Sequence, residues 1–268
     1  MNKKFRDSTA TEVRAAIRAG KLTGTTAGMA RGYAQANVVI LPRRFADEFT
    51  EFCDRNRRPC PLIAHTEPGR FEPAEVAPGS DLRTDVPRYR VFRRGALQPV
   101  EPTDIRHLWR DDLVGFLLGC SFTFERALEA AGLEVRHLRQ TGNVPMYRTK
   151  IKCRPAGAFA GPLVVSMRPF SREQVERVVA ITSEYPTMHG APVHLGDPAA
   201  LGIQDLARPD FGDAVEIYPG EVPVFWACGV TPQLALAAAR PDLCITHSPG
   251  SMFITDRTDE SFRRRESA

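Results

Sequence analysis

One long segment separates two kinds of sequence pattern in this chain. It reads Tyr185-Pro-Thr-Met-His-Gly-Ala-Pro-Val-His-Leu-Gly-Asp-Pro198 and, after two alanines, Leu201-Gly-Ile-Gln-Asp-Leu-Ala-Arg-Pro-Asp-Phe-Gly-Asp213. The segment is too rich in Gly and Pro for a long helix and lacks the alternation of a strand. Its apolar residues argue against disorder, which requires low hydrophobicity. We predict an ordered, packed loop that displays its two His and four Asp; the alternative is a surface loop whose Asp residues cap turns.

The pattern directly before this loop is that of a small α+β unit. Residues 146–154 alternate in the manner of a strand, and residues 162–167 form a Val-rich strand. Ser171-Arg-Glu-Gln174 has the form of a capping box and predicts a helix that ends before Pro186. We predict that residues 143–215, including the loop, form an inserted subdomain.

The two ends of the chain show strand–helix–strand patterns instead. Residues 37–41, a helix opened by Pro42, and residues 61–64 make the first, while 223–227, a helix capped by Thr231, and 243–246 make the second. Both patterns predict βαβ units of one α/β domain, formed by residues 1–142 and 216–268. Between them, residues 113–118 are predicted to continue a helical region. No internal repeat of long period is apparent.

Composition and charge narrow the classes of protein that fit. The net charge is only +4 and the basic residues are scattered, so we expect no nucleic-acid partner. No apolar run is long enough for a transmembrane helix, and the N-terminus lacks the apolar region of a signal peptide. The six Cys show neither paired nor zinc-ribbon spacing, which predicts free thiols and a cytoplasmic protein. The sequence is compatible with a homo-oligomer.

Two cysteines lie at predicted helix N-termini. Cys120 and Ser121 precede a helix over residues 122–131, and Cys228 and Gly229 precede the helix that Thr231 caps. Unpaired N–H groups at such positions favour an anion and can lower the pKa of a thiol. The alternative is that both cysteines are packed turn residues.

Several motifs together resemble one known family. They are Gly-Cys-Ser-Phe-Thr-Phe-Glu (119–125), Asn-Val-Pro-Met-Tyr (143–147), Val-Ser-Met-Arg-Pro (165–169), His-Gly-Ala-Pro-Val-His-Leu-Gly-Asp-Pro (189–198), Val-Pro-Val-Phe-Trp-Ala-Cys-Gly-Val-Thr-Pro-Gln (222–233) and Ile-Thr-His-Ser-Pro-Gly (245–250). These motifs resemble the YcsI-type hydro-lyase family, also called the D-glutamate cyclase family. The resemblance implies an α/β fold with a three-layer αβα sandwich and a smaller two-layer α+β part. It also implies loss of water from a small amino or hydroxy acid, with cyclisation of D-glutamate to 5-oxo-D-proline as one form of that reaction.

Such a reaction needs a base, an acid and donors for a carboxylate. His189 and His194 are the leading acid–base candidates because imidazole titrates near neutral pH, and His247 is a third. Asp197 could orient a histidine, and the guanidinium of Arg168 matches two carboxylate oxygens. Further neutral groups for substrate binding are Ser121, Asn143, Tyr147, Thr149, Gly229 and Thr231. Each of these residues also has a purely structural interpretation, as a turn cap, a hydrogen-bonded core residue or a surface ion pair.

Three rival interpretations stay open. His189, His194 and Asp197 supply ligand types for a divalent metal, although the reaction itself implies no cofactor. Cys120 and Cys228 could transfer protons at an α-carbon, by analogy with two-cysteine amino-acid racemases. The chain could instead be a small-carboxylate sensor, or a subunit of a metabolic assembly. In each enzymatic case we expect Cys120, Cys228 and the 185–213 loop to border one cleft that takes a small carboxylate.

Overall fold

The computed structural model describes residues 5–140 and 143–264 and combines helices with two β-sheets. The α-helices of the described chain are α1 (Ala10–Arg18), α2 (Ala46–Arg55), α3 (Phe122–Ala130), α4 (Arg136–Gln140), α5 (Arg172–Ser183) and α6 (Val230–Ala239). Its strands are β1 (Tyr33–Pro42), β2 (Leu62–His65), β3 (Tyr89–Arg93), β4 (Ala96–Leu97), β5 (Leu113–Gly119), β6 (Met146–Lys152), β7 (Pro162–Ser171), β8 (His194–Leu195), β9 (Glu221–Ala227), β10 (Cys244–His247) and β11 (Phe253–Thr258). The predicted α/β class is confirmed.

Local sequence signals explain where several elements begin. Thr9 caps α1 through its hydroxyl, which accepts from the N–H of Glu12, and the Glu12 carboxylate accepts from the N–H of Thr9. Ser171 and Gln174 form the predicted capping box at the start of α5. Such caps satisfy N–H groups that have no partner inside the helix.

The two sheets contain only antiparallel neighbours among the described strands. The seven-stranded sheet has the order β2-β5-β1-β10-β3-β4, and β11 pairs with the first part of β1. The four-stranded sheet has the order β6-β7-β9-β8. In the first sheet β1 and β2 run parallel, but β5 lies between them and pairs with both.

Both faces of the seven-stranded sheet are buried, one by irregular segments of the chain and the other by helices. Ala36, Val38 and Ile40 of β1 pack with residues from the irregular stretches between β2 and β5. Val39 and Leu41, on the opposite face, pack with α2 and α6. Burial on both faces explains why β1 and β5 are almost continuously apolar rather than alternating.

The four-stranded sheet is covered by α3 and α5 on one face and by the 185–213 loop on the other. Trp226 and Phe170 pack with the two helices, whereas Phe225 and Met167 pack with Leu201 and other apolar residues of the loop. The prediction of an ordered, packed loop is therefore confirmed. Its polar residues are consequently divided between the two sides of this sheet.

Two element-level predictions are wrong, and a third is correct with a difference in strand order. Residues 113–118 belong to strand β5 rather than to a helix; their short apolar run does not distinguish a buried strand from a buried helix. Strands β9 and β10 flank α6 but lie in different sheets, so they do not form a βαβ unit. The strands around α2 do run parallel in one sheet, but β5 lies between them, so they form a split βαβ unit rather than a pair of neighbouring strands.

The structure contains an internal repeat that the sequence does not reveal. When β3, β4 and α4 are left out, the order β1-α2-β2-β5-α3 of the first unit corresponds to β7-α5-β8-β9-α6 of the second, with the same antiparallel pairing. After α3 the chain enters β6, which pairs with β7 of the second unit, and after α6 it enters β10, which pairs with β1 of the first. Each unit thus contributes its last strand to the sheet of the other.

The exchange of strands between the two sheets affects where domain boundaries can be drawn in this chain. The predicted subdomain of residues 143–215 omits β9, although β9 pairs with both β7 and β8. The predicted boundary at residue 142 lies outside the described residues, and the division into domains stays a prediction. No helix among the described residues is both long and apolar enough to cross a membrane.

Candidate active site

A cavity of about 360 Å³ lies where one strand of each sheet ends and the following helix begins. Cys120, Ser121 and Phe122 line it from the end of β5, and Cys228 and Gly229 line it from the end of β9. The 185–213 loop contributes His189, Phe211 and Gly212. The prediction that Cys120, Cys228 and this loop border one cleft is confirmed.

The two thiols occupy equivalent places in the internal repeat. The N–H of Phe122 acts to lower the pKa of the Cys120 thiol, and the N–H of Val230 acts to lower that of the Cys228 thiol. Burial nevertheless raises the pKa of Cys120 to about 12 and that of Cys228 to about 11. The expectation of lowered thiol pKa values is therefore wrong, because loss of hydration outweighs the helix N-terminus. Both groups are neutral thiols at neutral pH.

A polar side chain from a neighbouring strand stands beside each cysteine turn. Asn37 of β1 lies opposite Leu118, and Ser166 of β7 lies opposite Trp226, so each is paired with the residue two positions before a cysteine. Both side chains line the cavity. The Asn37 amide donates to the carbonyl of Gly119 at 2.8 Å (Nδ2 to O).

Gly229 is required by the close approach of that same amide. A Cβ atom at position 229 would lie 2.8 Å from Nδ2 and Oδ1 of Asn37, closer than ordinary van der Waals contact. Glycine therefore lets the turn before α6 approach β1. In this way Asn37 contacts both cysteine turns from a single position on β1.

Arg168 lies behind the cavity wall rather than in it. Its guanidinium, 1% exposed, is paired with the carboxylate of Glu125, which is also buried. Nη1 donates to Oγ of Ser166 at 3.0 Å, and Nη2 donates to Oγ of Ser121 at 3.1 Å. The prediction that Arg168 clamps a substrate carboxylate is wrong, because Glu125 already occupies its donors. Arg168 instead holds two hydroxyl groups that line the cavity.

Glu125 stays ionised in this buried setting. Burial acts to raise its pKa, but the charge of Arg168 and the contact with His137 hold it at about 2. His137 Nε2 lies 3.6 Å from Oε2 of Glu125. The arginine–glutamate ion pair is thus buried behind the cavity wall, where it orients the hydroxyl groups that line the cavity.

His247 presents one ring nitrogen to the cavity. Its Nδ1 lies 3.1 Å from the backbone nitrogen of Val38 and 3.4 Å from the carbonyl oxygen of the same residue. Because the N–H of Val38 is the closer group, Nδ1 accepts from it, and this places the proton of the neutral ring on Nε2. The side chain is 3% exposed and lines the cavity, and Nε2 has no hydrogen-bond partner among the described residues. Burial lowers its pKa to about 4, so at neutral pH His247 offers an N–H donor rather than a positive charge.

His189 is held just as firmly at another part of the wall. Its Nδ1–H donates to the carbonyl of Arg58 at 2.8 Å, and its backbone has a φ of 73°. Burial lowers its pKa to about 4. The expectation that this histidine titrates near neutral pH is therefore wrong, and a proton taken up by His189 would be weakly held.

Arg90 is the only charged side chain among the described residues that line the cavity at neutral pH. Its Nε donates to Oε1 of Glu101 at 2.9 Å. Its two terminal nitrogens have no hydrogen-bond partner in the described parts of the chain. None of the described lining residues is an aspartate or a glutamate.

Besides Arg168, five predicted site residues lie outside the cavity. His194 pairs with Phe225 on the face of β9 that points away from Ser166, and its Nε2–H donates to the carbonyl of Asp197 at 2.7 Å. Asp197 caps a short 3-10 helix by accepting from the N–H of Ala199, the alternative recognised from its sequence. The remaining three make structural hydrogen bonds to main-chain groups: Tyr147 to Leu206, Thr149 to Leu163 and Thr231 to Val164.

The predicted metal ligands are therefore not brought together. His189 lines the cavity, whereas His194 and Asp197 lie across the four-stranded sheet. Within the described residues, no three His, Cys, Asp or Glu side chains are grouped as a metal site would require. Of the other predicted residues, Asn143 lines the cavity and donates to Oδ2 of Asp213 at 3.1 Å.

Sequence reasoning missed four residues that build the site. Arg90 carried no local motif, and Glu125 ends the motif of residues 119–125 but was not distinguished there as a site residue. Asn37 and Ser166 did carry a signal: each is a polar residue in a strand that is mainly apolar. A buried polar residue needs a partner or a role, and this signal could have identified both.

Comparison with known proteins now defines the family. A family model described as D-glutamate cyclase matches residues 114–256, a range that contains both cysteines. The chain belongs to this family. A relative from Rubrobacter xylanophilus is 61% identical over 253 residues and covers 94% of this chain and 97% of its own length. A relative from Bacillus licheniformis is 60% identical over 251 residues, with coverages of 94% and 95%.

The names of both relatives begin with the words "Putative hydro-lyase". The resemblance found in the sequence is therefore confirmed at the level of the family. A solved structure of a nitrogen repressor-like protein from Methanococcus jannaschii aligns over 94% of this chain and 99% of that chain. Its TM-score of 0.37 and identity of 7% are too low to establish a shared fold.

Proposed function

We propose that this protein is a lyase that removes water from a small amino or hydroxy acid bound between Cys120 and Cys228. D-Glutamate is the first candidate substrate, and 5-oxo-D-proline would be its product. The family assignment supports loss of water as the type of reaction. The reaction changes no oxidation state, so we propose that it needs no redox cofactor.

The charge of the cavity is the observation that carries this proposal. Its described lining holds one arginine and no carboxylate, and two helices of at least nine residues, α3 and α6, begin at it. Helix N-termini and a guanidinium both favour anions. A volume of about 360 Å³ is near the lower end of ligand pockets, which span about 300–1,000 Å³. These properties together favour a small carboxylic acid.

The described groups suit loss of water from glutamate in particular. Arg90 would bind the α-carboxylate. The ammonium group would first transfer a proton to the other carboxyl group, so that the amine is neutral and that carboxyl group is protonated. The amine nitrogen would then attack the carboxyl carbon, forming a C–N bond and placing negative charge on the carbonyl oxygen. The N–H groups that begin α3 and α6, with Nε2–H of His247, would stabilise that charge. A neutral thiol, Cys120 or Cys228, would give a proton to the departing oxygen and regain one from the amine, so that water leaves.

Arg90→Gln tests the binding role directly. The substitution removes the charge, and we expect kcat/KM for the active substrate to fall by about 10- to 100-fold, since a hydrogen bond to a charged group contributes about 1.5–3 kcal/mol. Arg90→Lys should recover part of the loss. The measurement is product formation from D-glutamate, L-glutamate and a panel of 2- and 3-hydroxy acids, followed by mass.

Arg93→Gln is the matched control, because Arg93 lies on the same strand but is exposed and outside the cavity. Equal activity of the Arg90 and Arg93 variants would contradict the proposed binding mode. Binding of one acid without any loss of water would favour the sensor interpretation, in which the same cavity holds a carboxylate without reacting with it.

A further inference from the structure

The internal repeat places the two thiols at equivalent positions in its two units. Loss of water does not require such a pair. Cys120 follows β5 and precedes α3, while Cys228 follows β9 and precedes α6, and these elements correspond in the two units. In each case the N–H group two residues further along the chain acts in favour of the thiolate form. The surroundings of the two thiols are therefore alike, although their sequences are not.

The cavity receives one thiol from each sheet. Cys120 belongs to the unit built on the seven-stranded sheet and Cys228 to the unit built on the four-stranded sheet, and both line the same small volume. The cavity is therefore bordered by two groups of the same chemical kind, supplied by separate units of the fold.

The same cavity contains donors for a carboxylate and for the charge that develops on it. Arg90 supplies the positive charge, and the buried His247 directs an unpartnered Nε2–H into the cavity. A carboxylate held by such donors can accept an electron pair from its α-carbon, because the resulting enediolate is stabilised by the same hydrogen bonds.

We infer that Cys120 and Cys228 also transfer protons to and from the α-carbon of a small amino or hydroxy acid, one on each face of that carbon. One sulfur first gives its proton to solvent and then, as the thiolate, takes the α-hydrogen as a proton: the C–H bond breaks, an S–H bond forms, and the electron pair moves into the carboxylate. The other thiol then gives its proton to the opposite face of the α-carbon. Its S–H bond breaks, and its sulfur is left as a thiolate. The configuration inverts, and no oxidant or reductant is consumed.

This activity goes beyond the proposed loss of water, because cyclisation of glutamate breaks no bond to the α-hydrogen. The two can therefore be measured separately in one sample. The probes are both enantiomers of glutamate and of 2-hydroxyglutarate, incubated with the whole protein in D₂O at pD 7 to 10. Deuterium at the α-carbon and inversion report the inferred activity, and loss of water from the mass reports the proposed function.

We expect at least one probe to gain deuterium at its α-carbon and to invert. Cys120→Ser and Cys228→Ser should each lower the inversion rate by at least about 100-fold, as loss of a general acid or base does. Cys153→Ser is the control, since Cys153 is buried outside the cavity. Thermal unfolding of each variant establishes that it is folded; Cys120→Ala and Cys228→Ala replace any serine variant that is not.

The possible results distinguish the inferred proton transfer from the proposed loss of water. Loss of water without deuterium at the α-carbon of any probe overturns the inference and leaves the proposed function standing. Deuterium and inversion without loss of water support the inference alone. Absence of both contradicts both. Exchange that survives unchanged in both cysteine variants also overturns the inference, because another base would then be responsible.

Alkylation tests the shared cavity without relying on a substrate. At pH 9, iodoacetate should modify Cys120 or Cys228 in preference to the other described cysteines, and one modified thiol should protect the other. Arg90→Gln should lower the rate with iodoacetate more than the rate with uncharged iodoacetamide. Carboxymethylation of both thiols in one molecule at equal rates would contradict the inferred geometry.

Discussion

Arg168 carries a planar guanidinium suited to a carboxylate, yet the carboxylate it binds belongs to its own chain. Glu125 occupies the donors, and Ser121 and Ser166 accept the remaining hydrogen bonds. The sequence specifies the type of residue correctly, but only the three-dimensional contacts decide whether its donors face a ligand or another side chain. Arg90, which carried no motif, has the free donors.

The buried histidines predict how stability depends on pH. Burial lowers the pKa of His189 and His247 to about 4 from the ordinary 6.5. Between these values the unfolded chain binds protons that the folded chain does not. The free energy of unfolding should therefore be highest above pH 6.5 and fall as the pH decreases to 4, by on the order of 3 kcal/mol for each histidine.

Urea denaturation between pH 4 and 7 measures this effect. His247→Gln should reduce the pH dependence, and His107→Gln, which removes an exposed imidazole, is the control for the substitution. Glu125 does not contribute in this window: its pKa of about 2 means that its stabilising effect is lost only as the pH falls from about 4.5 towards 2. A stability that is constant from pH 7 to 4 would contradict the assigned burial.

At the scale of elements, the place where β5 meets the 185–213 loop leaves no room for a side chain. A Cβ atom at Gly119 would clash with the carbonyl oxygen of Thr187 and lie 2.9 Å from Sδ of Met188. The loop residues involved directly precede His189. The close packing at Gly119 therefore fixes both the cysteine turn and the start of the loop.

Gly119→Ala should consequently destabilise the protein by about 1–3 kcal/mol, the usual cost of overpacking, and lower its activity. Gly24→Ala is the matched control, because a Cβ atom there has no neighbour within 4 Å. Thermal unfolding and an assay of the active substrate measure the two effects. Equal behaviour of the two variants would show that the loop does not depend on this contact.

Across the whole molecule, the exchanged strands β6 and β10 make each sheet depend on the other unit of the repeat. The predicted subdomain tests this dependence. A fragment of residues 143–215 lacks β9, the strand that joins β7 to β8, and loses the packing of Phe225 and Trp226. We expect it to be unfolded by circular dichroism and to show poor NMR dispersion.

The comparison for that fragment is residues 143–240, which restores β9 and α6. It should recover part of the strand signal, whereas the complete chain should unfold in one cooperative transition. A folded 143–215 fragment would support the predicted domain boundary and would contradict the view that β9 is essential to the second sheet.

The sequence by itself determined the class, the family and most elements of this protein. Capping boxes, apolar runs and the Cys-turn-helix patterns act over a few residues, so they could be recognised without a structure. The two helix N-termini with Cys120 and Cys228 are correct for the same reason. The family motifs added the expectation of a hydro-lyase.

Only the tertiary structure decided which strands pair and which polar groups share a cavity. Cys120 and Cys228 are 108 positions apart in the chain, and they meet because the two units of the repeat pack together. His194 and Asp197 lie close to His189 in sequence but across a sheet from it, since the loop passes over the far face. Burial, which depends on contacts from distant parts of the chain, also reversed the expected pKa shifts of both thiols.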